Sequence, residues 1–205
     1  MRRREGWVAT ASSSRGHSRW ILIAFLWSWM PASAPAAVEI SFYSREWANT
    51  FPHAFITLQG IDDRTGERID ASYGFTATHV SPAILLGSVK GEILSAKPDY
   101  IAKSDMHFRF TLSDPEYDSV RATVERWRTL KQPSYNLNRQ NCVFFVADVA
   151  ASLGMVAETP KALMKKPRSF TESLTRANLV WLQARGATIT NRSFGPSKST
   201  VAATR

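Results

Sequence analysis

Val38 to Tyr43 (VEISFY) alternates apolar and polar positions and predicts a first strand, followed by a Ser-Arg-Glu loop carrying Trp47. Ala54 to Gln59 (AFITLQ) places Ala54, Ile56 and Leu58 on one face and His53, Phe55, Thr57 and Gln59 on the other. Gly60 to Gly66 (GIDDRTG) has turn chemistry, and Glu67 to Phe75 alternates again, so the two runs form a hairpin. His53 opens its first strand, and the polar face of its second offers Arg68, Asp70 and Ser72. Ala83 to Leu94, with Gly87 and Gly91 inside it, reads as a loop with a short strand or as a bent strand. In Asp105 to Leu112 (DMHFRFTL), Met106, Phe108, Phe110 and Leu112 alternate with polar residues, which predicts a half-buried strand with His107 on its solvent face.

Ser113-Asp114-Pro115-Glu116 supplies a capping side chain ahead of a proline suited to a first helical turn. Tyr117, Val120, Val124 and Trp127 then recur at helical spacing, and Gln132-Pro133 stops the run. From Tyr135 to Gly154 (YNLNRQNCVFFVADVAASLG) a polar run ends at Cys142, and Val143 to Leu153 is almost wholly apolar or Ala, with Gly154 as a C-terminal cap. The pattern predicts a buried helix whose first turn carries a thiol. Ser169 with Glu172 resembles a capping box before one more helix, and the Ser, Thr and Gly-rich stretch 186–205 is expected to fray as a tail.

Ahead of these elements, residues 1–37 divide into a stretch with five Arg, an apolar run from Trp20 to Met30 and a small-residue tract. That layout is a secretory signal peptide, and the apolar run is well short of the ~20 residues that span a bilayer. The expected mature protein is therefore a single domain, 38–185, secreted or periplasmic, with an uncleaved membrane anchor as the alternative. The whole chain of 205 residues carries 26 basic and 17 acidic residues. Without the leader's five Arg and one Glu the balance is 21 against 16, net +5, which removes most of the case for nucleic acid. A modest positive charge suits peripheral contact with anionic envelope polymers. The single Cys excludes an intramolecular disulfide, and the scattered His suggest no metal cage, so neither metal nor cofactor is expected.

A Cys in a first helical turn lies in the positive end of the helix dipole beside unpaired backbone N–H groups, which favours thiolate and can hold an oxyanion. A nucleophile also needs a base and a group that orients the base. His107 reads as a surface residue and His79 as a loop residue. His53 starts a strand whose partner carries a carboxylate, and it is the candidate base.

The order His53-Ala-Phe-Ile at a strand start, then a hairpin, then Asn141-Cys142-Val143-Phe144-Phe145-Val146 opening an apolar helix, resembles the circularly permuted NlpC-type branch of the papain-like superfamily. That branch includes the lecithin:retinol acyltransferase-like proteins, in which the His strand precedes the Cys helix. The resemblance implies a small α+β domain with an antiparallel sheet packed on the Cys helix, and a Cys, His, polar-residue triad for amide or ester acyl transfer. Carried over, Cys142 is the nucleophile, His53 the base and Asp70, in Ile69-Asp70-Ala71, the orienting residue. Ser72 shares its face, and Tyr73 would serve if a bulge shifted the register by one. The function expected from export and resemblance together is a cysteine hydrolase of peptidase or amidase type cleaving an amide, in a peptide or peptidoglycan-like substrate. Lipid acyl transfer or thioester chemistry, and an inactive envelope-binding module on the same scaffold, are the alternatives.

Overall fold

The computed structural model describes residues 37–46 and 51–190; the leader 1–36, Trp47 and the tail from residue 191 lie outside the described residues. The elements are β1 (Val38–Arg45), β2 (His53–Asp62), β3 (Glu67–Ala77), α1 (Ala83–Leu86), β4 (Gly91–Leu94), α2 (Pro98–Ala102), β5 (Asp105–Thr111), α3 (Asp114–Arg128), α4 (Cys142–Ser152), α5 (Pro167–Ala177), α6 (Leu179–Ala184) and β6 (Thr188–Ile189). The strands form one sheet in the order β4-β3-β2-β1-β5-β6, every neighbouring pair antiparallel. This is an α+β fold, with the sheet packed on the helix that begins at the cysteine.

Alternation decides which face of the sheet is covered. Ile40 and Phe42 of β1, Ala54, Ile56 and Leu58 of β2, and Phe108 and Phe110 of β5 join one core with Tyr117, Val120, Val124 and Trp127 of α3. The middle of that core is α4, where Val143, Phe145, Val146, Val149 and Ala150 are fully buried. Each large apolar side chain so buried contributes roughly 1.5–3 kcal/mol, and truncating Phe145 to Ala would cost roughly 3–5 kcal/mol.

Both ends of α4 are fixed by local chemistry. At its start the buried Asn141 accepts from the Val143 N–H at 2.8 Å and donates its amide to the carbonyls of Leu137 and Met164 at 2.8 and 2.9 Å. At its end Gly154 takes φ +80°, and the N–H groups of Gly154 and Met155 return to the carbonyls of Ala151 and Ala150, a Schellman closure. α3 opens at the expected cap, Ser113, which forms a capping box with Glu116.

Three readings need correction. His107 is 1% exposed, not on a solvent face, because the β1–β5 register shifts between Phe42 and Tyr43. That bulge buries His107 and Phe108 in succession, and the His107 Nε2 hydrogen-bonds the buried Ser44 hydroxyl at 2.7 Å. Ala83 to Leu94 contains the short strand expected there, β4, and adds the helical turn α1. The Ser169/Glu172 capping box does not form, since α5 begins at Pro167 and Glu172 instead accepts from Arg168 at 3.1 Å. Residues 188–189, placed in the tail by sequence, add β6 to the edge of the sheet beside β5.

Candidate active site

Cys142 is the first residue of α4 and His53 the first of β2. The two chain starts meet through one peptide group. Cys142 is 5% exposed, and the backbone N–H groups of Ala54, Val143 and Cys142 itself lie near enough to its sulfur to favour the thiolate, although the Val143 N–H is donated to Asn141. Ala54 is bonded to His53, so the sulfur lies close to the backbone at the start of β2.

The His53 ring points elsewhere. Ala54 belongs to the helix-covered core, and its neighbours His53 and Phe55 turn to the opposite face, where their rings stack at 6.1 Å. The His53 ring lies over Gly74 of β3 so closely that a Cβ there would overlap Nε2. Among the described residues no hydrogen bond holds the imidazole, and none joins it to the thiol. Its orientation comes from packing between Phe55 and the bare backbone of Gly74.

His53 lines a cavity of about 430 Å³ at the end of the sheet, together with Phe55, Ala77, Ile84, Tyr100, Tyr135 and Leu137. The wall is mostly apolar; among the described residues its ionic members are Lys97 and Asp99. Tyr135 connects this space to the thiol. Its backbone is fixed by a pair of hydrogen bonds with Val89, and its phenol pKa is pushed up by burial and by the nearby Cys142. Sequence reading assigned Tyr135 no role. The available signal was an aromatic hydroxyl at the head of the polar run that leads into Cys142.

The resting site is neutral. Burial pushes the Cys142 thiol up to about 11, against the three N–H groups that pull it down. The acidified thiol expected from the helix terminus is therefore corrected, because removing the sulfur from water outweighs the dipoles directed at it. Burial also lowers His53 to about 4. The thiol and the imidazole are thus both neutral at rest, with no standing thiolate.

Asp70 is not brought to this site. It faces Gln59 across the β2–β3 hairpin and accepts from its amide at 3.1 Å. Gln59 lies six residue steps along β2 from His53, on the order of 20 Å. The alternatives are no nearer in role. Ser72 accepts from the Ala96 N–H at 2.7 Å, and Tyr73 pairs with Ile56 and borders the α3 surface at Asp118 and Arg121. His79 is exposed in its loop. Among the described residues no three His, Cys, Asp or Glu side chains gather into a metal-holding group. The chain matches no family model, no curated protein and no solved structure.

Proposed function

We propose that the protein is a cysteine hydrolase in which Cys142 attacks a carbonyl and His53 handles the proton, on a scaffold like that of the permuted NlpC-type enzymes. One observation carries this reading: a thiol at a helix start lies near the backbone N–H of Ala54, one peptide away from a histidine that lines a cavity. The mainly apolar wall favours substrates with an apolar acyl portion over a highly charged peptide, whether the scissile bond is an amide, ester or thioester.

The step follows from the neutral resting state. As the sulfur forms a bond to the carbonyl carbon, the thiol proton passes to the His53 imidazole, whose ring must swing from over Gly74 toward the sulfur. The developing oxyanion takes backbone N–H groups of the α4 start. Imidazolium then gives its proton to the leaving nitrogen, oxygen or sulfur as the carbonyl bond to it breaks. Water hydrolyses the acyl-cysteine, losing a proton to His53 and restoring the thiol.

The burial of Cys142 favours a second reading, an apolar-ligand module in which the thiol is a small buried core residue. Steady turnover separates the two. A medium-chain acyl thioester and the matching anilide should be cleaved by the parent protein and reduced to background by Cys142→Ala; saturable binding without turnover would leave only the module. The leader supports a secreted or periplasmic site of action.

A further inference from the structure

We propose that the mouth of the His53 cavity is a docking surface for an anionic lipid bilayer. The proposal rests on the acyl-hydrolase reading only for the cargo, an acyl chain passing from bilayer to cavity. The surface itself is argued from what the chain exposes there.

Between β3 and β4 the backbone leaves the sheet and makes the short turn of α1. Ile84 tucks inward to line the cavity, while Leu85 and Leu86 turn out to solvent, 78% and 90% exposed. Val80 and Leu94 are exposed at the same mouth and also line it. These four make up half of the eight large apolar side chains exposed among the described residues. Single exposed apolar residues are ordinary, but a concentration around one opening marks an interaction site.

Charge chooses the occupant. No carboxylate occurs between Asp70 and Glu92, so the protruding segment can lose water without stranding an anion. Lys90 and Lys97 flank it, and Arg139 donates to Ser88 at 3.3 Å, which places a guanidinium beside the end of α1. Glu92 and Asp99 are the opposing carboxylates on the flanking elements, leaving an excess of one positive charge. A second copy would set these cations against their own like, whereas a bilayer accepts leucines among its acyl chains and gives the cations anionic head groups.

The test is flotation of the full chain, carrying Cys142→Ala so that chemistry does not intervene, with vesicles of phosphatidylcholine alone or mixed with phosphatidylglycerol. The parent should float with the mixed vesicles and be released by high salt. Leu85→Asp with Leu86→Asp should weaken binding at least ~10-fold at unchanged far-UV circular dichroism, and Lys90→Glu roughly five-fold or more. The lysine variant keeps the test valid if the leucine variant fails to fold. Equal flotation of both variants, which would assign binding to another segment such as Trp20–Met30, overturns the proposal. So does failure of the parent to float, or a dimer that the leucine changes dissociate. Turnover of a short, water-soluble acyl thioester by the leucine variant with Cys142 intact reads the hydrolase proposal separately: retained turnover with unchanged flotation removes docking alone, and no turnover by any form removes the hydrolase reading alone.

Discussion

The reactivity of Cys142 toward a small aliphatic disulfide is set by two opposed effects of its burial. With the thiol at about 11 rather than the ~8.5 of a free cysteine, its thiolate fraction at pH 7 is lower by roughly 300-fold. A more basic thiolate is also a better nucleophile, with a Brønsted slope of ~0.4–0.5, which returns roughly ten- to eighteen-fold. The net expectation is a second-order rate about 20- to 30-fold below that of a model thiol at pH 7, and lower again because only 5% of the residue is exposed. The rate should climb about tenfold per pH unit with no plateau before about pH 10. His53→Ala should leave this profile nearly unchanged, since the imidazole is already neutral and holds no charge over the sulfur. Intact-mass sampling across pH 6–10, with circular dichroism at each point, measures it. The spectroscopic control is needed because a thiol raised on folding stabilises the native state fully only below the unfolded pKa, and that contribution falls as pH rises toward about 11. A plateau at or below pH 8.5 would refute the reasoning, showing that the N–H groups outweigh dehydration.

The other residues give distinct outcomes. In turnover assays His53→Ala should cost ~10²- to 10⁴-fold in kcat/KM, whereas Asp70→Ala, held by Gln59 at the far end of the hairpin, should change it less than about two-fold; a loss approaching that of His53→Ala would restore the triad read from sequence. Gly74→Ala should push the His53 ring off its resting place without lowering kcat, because the ring leaves Gly74 to take the thiol proton. A fall in kcat comparable to that of His53→Ala would mean that the ring acts from over Gly74. His107, lowered to about 4 by burial, favours its neutral form in the fold, so its contribution is complete above the unfolded pKa of ~6.5 and is lost as pH falls toward 4, up to about 3 kcal/mol. Urea unfolding at several pH values should show a shallower acid slope in His107→Gln; an identical slope would sink that assignment.

What sequence could and could not show divides along physical lines. β1, β2, β5, α3 and α4 were legible because each buries one face or one stripe, and their caps at Ser113, Asn141 and Gly154 are local chemistry. His107 was not, because a bulge changes which face a residue takes and leaves no mark in a seven-residue alternation. Asp70 shares a polar strand face with His53 in the pattern, yet a shared face says nothing about distance along the strand, and the pairing Gln59–Asp70 separates them. Cys142 and His53 were brought close, but their protonation was misjudged, since a helix terminus is visible in sequence and the dehydration imposed by β2 and Tyr135 is not. The apolar mouth around α1 lay in the segment whose period was hardest to read, and its glycines carried no usable pattern.

The central claim is that the thiol of Cys142 becomes acylated by a substrate held in the cavity and that His53 moves the proton. Rapid acid quench of the full chain with a medium-chain acyl thioester, followed by peptide mass analysis, tests this directly. The account predicts an acyl group on Cys142 within the first turnover, strongly slowed by His53→Ala, unaffected by Asp70→Ala and absent in Cys142→Ala. Turnover with no acyl-cysteine, or an adduct on any other residue, would contradict it.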